Sequence, residues 1–151
     1  GKAITENVPP LGFILGDEGS GAVLGKRLIG DILKKQLPEH ICNDFFAEYG
    51  MGTDEIIKRV YKSPLPNRFL ASFTFFLHKH KEQEDIQRLI IEEFCSFFRR
   101  NVATYHRTDL PVHFIGSIAV HFSKELRAAA EHTGFQIGRI HRSPLEQPEL
   151  L

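Results

Sequence analysis

The sequence has no tryptophan, one methionine and only two cysteines among its 151 residues. Cys42 and Cys95 stand far apart, which excludes a CxxC pair or any other metal-binding spacing. Each falls in a helical pattern, so buried, reduced thiols are expected, which fits a cytoplasmic protein. Neither charge is in surplus. Lys+Arg and Asp+Glu both number 19, and the formal net charge is zero with neutral histidines. Without a basic excess or stripe there is no footprint for a nucleic-acid partner. No apolar run reaches the length of a membrane-spanning helix, so no membrane partner is expected, and the opening residues show no signal-peptide pattern. There is no internal repeat and no low-complexity stretch. What is abundant is phenylalanine, with 13 copies, read as core filler between helices. The length suits one domain with a proper core.

One stretch stands out: Leu11-Gly12-Phe13-Ile14-Leu15-Gly16-Asp17-Glu18-Gly19-Ser20-Gly21-Ala22. A short apolar run meets a glycine, two carboxylates and a Gly-Ser-Gly turn. A helical pattern follows, with Val23, Leu24, Leu28, Ile29, Ile32 and Leu33 on one face. This predicts strand, tight loop, helix. Gly19 or Ser20 would sit near the helix N-terminus, where free N–H groups and the dipole favour an anion. Asp17 and Glu18 are placed to accept hydrogen bonds from hydroxyls or to face a metal. Features for a sugar and for a phosphate, side by side, are what a phosphotransferase acting on a polyol needs. An ordinary strand-to-helix turn with a polar cap has the same pattern.

In chain order, Ala3–Val8 reads as a strand closed by Pro9-Pro10, and Leu11–Leu15 as a second. Helices are expected over 20–35, over 38–49 with Gly50 as its stop, and over 53–61 with Thr53 at its cap. Ser63–Asn67 reads as a rigid connector, with Asn67 capping a helix over 68–80 that ends in a solvated basic run, His78-Lys79-His80-Lys81. The longest helix is expected over 82–105, with Glu92-Glu93 and Arg99-Arg100 on its solvated flank. The close is strand 112–115, helix 118–132 and strand 135–141. Between the two strands, Gly116-Ser117 forms a second strand-to-helix turn, where ligands bind in open α/β sheets. His113, within the strand, reads as a packed or partly exposed residue rather than a catalytic one.

The string from Gly12 to Gly25 closely resembles the LGDEGSG segment of N-acetylglucosamine kinases. These belong to the BadF/BadG/BcrA/BcrD ATPase family, in the superfamily of sugar kinases, Hsp70 and actin. Gly116-Ser117, after a helical block, matches that family in order and rough spacing, and the resemblance runs to about Pro144. It implies an α/β, RNase H-like C-terminal domain of the actin and sugar-kinase type. Such a domain is mostly helical by content, with a small mixed sheet and a long helical insert. Residues 1–151 would be that domain of a two-domain sugar kinase whose N-terminal domain lies outside this chain.

The implied activity is ATP-dependent phosphorylation of an amino sugar, foremost N-acetylglucosamine to its 6-phosphate, with ATP and Mg²⁺ in the cleft. The catalytic base is implied to lie in the N-terminal domain, so no catalytic residue and no metal ligand is assigned here, and this chain alone is expected to be inactive. Asp17 and Glu18 would bind the sugar. Gly19, Ser20 and Gly21 would line the phosphate side, and Gly116, Ser117 and Ala119 the nucleotide side. The implied partners are ATP, the amino sugar and the N-terminal domain, with a homodimer left open. Two alternatives stay open: an ATPase that activates a radical dehydratase through a cysteine-ligated cluster, and a non-catalytic interaction domain that keeps the fold. The tail departs from the family, because Ser143-Pro144-Leu145-Glu146 is followed by Gln147-Pro148 rather than Gly-Leu.

Overall fold

Three strands and eight α-helices account for most of the ordered backbone in the computed structural model, which describes residues 11–15, 18–64 and 66–142. The expected strand Ala3–Val8, Asp17 and the divergent tail from Ser143 lie outside the described residues.

Strand β1 (Leu11–Ile14) leads into helix α1 (Glu18–Leu33). Then follow α2 (Glu39–Tyr49), α3 (Thr53–Lys62), α4 (Pro66–Ser72), α5 (Thr74–His80) and α6 (Glu84–Phe97). The chain closes with β2 (Pro111–Ile115), α7 (Ser117–His121), α8 (Ser123–Thr133) and β3 (Gln136–His141). The strands form one sheet in the order β1-β2-β3, and both pairings are parallel. The strands expected at the close of the chain, β2 and β3, pair parallel to each other. Among the described residues the sheet is parallel throughout rather than mixed. The helices between β1 and β2 make up the long insert.

Four of the expected helices change their bounds or caps. The helix expected over 68–80 starts earlier, with Pro66 in its first turn, so Asn67 is inside it and caps nothing. It also breaks at Phe73. Ser72 Oγ donates to Phe69 O at 2.5 Å and Thr74 Oγ1 to Ala71 O at 2.8 Å, competing with the helical ladder. The helix expected to reach Tyr105 instead widens after Phe97 into a π turn over Phe98–Val102, then tightens over Ala103–Tyr105. The wide turn directs Phe98 and Val102 into the core, where Phe98 stacks on Phe135 at 5.4 Å. The helix expected over 118–132 is split at the buried Phe122. Helix α3 has Gly52, not Thr53, at its cap position.

The phenylalanines do fill the core. Phe45, Phe73 and Phe76 are fully buried, with Phe45 5.4 and 5.3 Å from the other two rings. Phe98 and Phe114 join the helical block to the sheet at 5.8 Å. The basic end of α5 is less solvated than expected: His80 stacks on Phe76 at 4.1 Å and bonds Gln83 at 3.0 Å. Exposed His78 packs edge-on against His121 at 5.2 Å.

His113 is packed, as expected, and it also does the work of a missing ladder bond. The β2–β3 register slips between Val112 and Phe114, leaving Gly138 and Arg139 opposite His113. There the Arg139 N–H donates to His113 Nδ1 at 2.9 Å. The imidazole lies over Gly138, where any Cβ would collide with it. Burial, then the charges of Arg139 and His141, hold His113 below its ordinary 6.5. The folded state therefore favours neutral His113, and the unfolded chain takes up a proton more readily. That contribution to stability is complete above the ordinary value and is lost as pH falls through the lower, folded one. His78, lowered by burial, Lys81 and His121, adds to the same slope. Urea melts should show the chain losing stability from about pH 7.5 to about pH 5.5, with His113→Gln losing less. Equal losses would remove His113 from this account.

Candidate functional site

The parallel sheet brings the two glycine-containing turns together. Leu15 N–H donates to Ile115 O at 2.8 Å, carrying the β1–β2 pairing one residue beyond the strands. Gly116 N–H then donates to His141 O at 2.7 Å, which fixes the turn to the end of β3. Ala119 N–H crosses back to Leu15 O at 3.0 Å. Two helices, α1 and α7, thus start beside each other at the carboxyl edge of the sheet, where open α/β sheets bind ligands.

Of the residues read as site candidates, Gly19 is exposed and Ser20 half-buried, both in the first turn of α1. The first N–H groups of a helix lack intrahelical acceptors, so this turn presents donors outward. Gly21 has a packing role: a Cβ there would lie 3.0 Å from Ala71 Cβ on α4. Gly116 has φ 130° and ψ 161°, a conformation that L side chains rarely adopt. Ser117 follows it, half-buried. Ala119 is fully buried with its N–H committed to Leu15, so it ties the two turns together behind the open face. Glu18 opens α1.

Beside Gly19 and Ser20 is a cavity of about 250 Å³. Ile14, Val23, Phe94 and Phe97 make it apolar, and Glu93 is its carboxylate. The expectation of Glu92-Glu93 as a solvated flank holds for exposed Glu92 but not for half-buried Glu93. Arg27 on α1 donates to Asp31 at 2.9 Å, to Glu92 at 2.7 Å and to Glu93 at 2.9 Å. Burial works against the Arg27 charge, but the three carboxylates outweigh it and raise Arg27 above its ordinary value. This fork holds α6 against α1 and so sets the far wall of the cavity. Only the Arg27–Asp31 spacing, one helical turn, was visible in the sequence. His141 was read only as a strand end. Its Nε2 is shielded from solvent beside the Gly116 turn, with no hydrogen-bond partner among the described residues.

Cys42 is half-buried and Cys95 buried, both as free thiols. Burial pushes both upward, away from the thiolate that a metal cluster needs. No three metal-ligating side chains converge among the described residues. Among those residues no helix is long and apolar enough to cross a membrane.

No protein-family model matches the chain. No curated protein matches it either. Among solved structures it is similar to one from Porphyromonas gingivalis, described as a "putative N-acetylglucosamine kinase", with 47% identity and a TM-score of 0.80. The match covers 92% of this chain and 49% of that one, so the chain spans about half the length of the solved relative.

Proposed function

We propose that this chain is the C-terminal, ATP-side half of a two-domain sugar kinase with an RNase H-like fold, acting on an amino sugar, foremost N-acetylglucosamine. The observation that carries the reading is the joining of the Leu15 and Gly116 turns by the Ala119–Leu15 hydrogen bond. It brings the start of α1 and the Gly116 turn together at one sheet edge, an arrangement that suits a cleft for a polyol and a nucleotide. The similarity to the P. gingivalis protein supports it.

In this reading ATP supplies the phosphoryl group, and the sugar 6-hydroxyl accepts it, releasing ADP. The proton goes to a base on the N-terminal domain. Asp17 and Glu18 hold sugar hydroxyls, and the N–H groups of Gly19 and Ser20 face the phosphates. Gly116 and Ser117 bound the adenosine side. Catalysis on this half is positioning and charge stabilisation. Mg²⁺ would screen the phosphate charge when bound. The described residues offer it no converging ligand set, so no role here passes through it.

The test is phosphorylation of N-acetylglucosamine by the protein joined to its N-terminal half, with a sugar-free ATPase control. Sugar-dependent ADP release is expected. Sugar-independent turnover would favour an ATPase activator, and no turnover an interaction domain. In that enzyme Asp17→Asn should lower kcat/KM for the sugar at least roughly tenfold, about 1.4 kcal/mol, with KM for ATP nearly unchanged. A lowered melting temperature with unchanged sugar kinetics would make Asp17 a helix cap instead.

A further inference from the structure

The amino edge of the sheet, opposite the two turns, carries a second concentration of polar groups. A cavity of about 530 Å³ there is lined by Arg99, His106, Thr108 and His132, with Phe135 as an apolar wall. No acidic residue lines it. Arg99 and His132 also line an adjoining cavity of about 790 Å³. The other arginines of that cavity are committed: Arg27 to Asp31, Glu92 and Glu93, and Arg88 to Glu84 and Asp85. Among the described residues Arg99 has no carboxylate within ion-pair distance, so its guanidinium and His132 face the 530 Å³ cavity without a competing anion, while the carboxylates of the larger cavity, Glu84 and Glu92, are held by Arg88 and Arg27.

The backbone here departs from regular form in two places. Arg99 is in the π turn over Phe98–Val102, an irregularity frequent at functional sites. His106 has φ 54°, the left-handed region, uncommon for a non-glycine residue. Four successive changes of backbone form, from α-helix through π and tight turns to β2, thus bring Arg99, His106 and Thr108 to one cavity. A guanidinium fork with imidazole and hydroxyl donors, and no carboxylate, suits a phosphoryl group.

We propose that Arg99 and His132 form a binding site for a phosphorylated small molecule, its phosphate between these two side chains and its body in the flanking cavities. The site is at the opposite end of the strands from the Leu15 and Gly116 turns, and it does not depend on the kinase reading.

The test is a two-dimensional amide NMR titration of the 151-residue chain with inorganic phosphate and with pyrophosphate, at constant ionic strength set by chloride. Saturable shifts should cluster at residues 99–108 and 132–135. Arg99→Ala should weaken binding at least tenfold, and Arg99→Lys, which keeps charge but loses the fork, several-fold. Arg100→Ala should leave it unchanged, because Arg100 lines a different cavity with Val23 and Tyr61. The amide spectrum of each variant reports its fold, and Arg99→Lys decides if Arg99→Ala unfolds. Three results would overturn the site: no saturable shifts, shifts spread over the lysines of the whole surface, or equal losses in the Arg99 and Arg100 variants.

Discussion

Gly25→Ala should unfold the chain more readily than any other single-methyl change in α1. Helix α1 crosses α4 with Gly25 directly on the Leu70 carbonyl. A Cβ would lie far inside van der Waals contact distance of Leu70 O and 2.6 Å from the carbonyl carbon. The obstacle is backbone, so no rotamer change can relieve it, and the helices must move apart. Overpacking of this kind costs up to about 3 kcal/mol and occasionally more. The helix-forming advantage of alanine over glycine returns only about 1 kcal/mol. A net loss of about 2 kcal/mol would lower the melting temperature by roughly 4–8 °C for a chain this size. Gly30→Ala is the matched control. It lies in the same helix with nothing within 4 Å of its added Cβ, so it should raise the melting temperature slightly. If both variants move the same way, the close crossing is not what selects glycine at 25.

This crossing shows what the sequence could and could not convey. The apolar stripe of α1 was legible in the main, since Leu24, Leu28, Ile29 and Ile32 recur with helical period and are all buried, whereas Val23, read on the same face, is exposed. That Gly21 and Gly25 serve α4 was not legible, because a glycine has no side chain whose pattern betrays its neighbour. The same limit hid Gly138, whose reason is an imidazole 25 positions earlier in the chain. Helix interruptions at Phe73, Phe98 and Phe122 were also hidden. Their periodicity is helical on both sides, and tertiary packing of large rings decides where the ladder gives way.

The candidate site divides similarly. Its strand-to-helix turns follow from Leu11–Gly21 and Val112–Ala119, where glycine and polar residues interrupt apolar runs. Their adjacency does not follow, because it depends on the parallel pairing of strands nearly 100 residues apart in the sequence. The Arg27 fork was hidden for the same reason: Glu92 and Glu93 look like solvent-facing charges until α6 is laid against α1. Ala119 shows a further limit, since its buried N–H ties the two turns together through a backbone bond to Leu15 that no residue pattern conveys.

Gly116→Ala should have the larger functional effect. With φ 130° and ψ 161°, residue 116 occupies a region closed to side chains, at a cost of about 1–3 kcal/mol. Alanine must either bear that strain or rotate away, losing the 2.7 Å bond to His141 O and shifting Ser117. Either response moves the start of α7, and through Ala119 it disturbs the Leu15 turn. If the proposed kinase reading holds, the enzyme joined to its N-terminal half should lose at least roughly tenfold in kcat/KM for ATP, about 1.4 kcal/mol. KM for the sugar should move less, since Asp17 and Glu18 belong to the other turn. Destabilisation alone is separated by running Gly25→Ala beside it, at a temperature where both variants are folded. Gly25 faces α4, away from the turns, so its folded fraction should keep wild-type kinetics. Matched kinetics in the two variants, after correction for folded fraction, would reduce Gly116 to a structural glycine and remove the adenosine side from this turn. A selective loss for ATP in Gly116→Ala would place the nucleotide there.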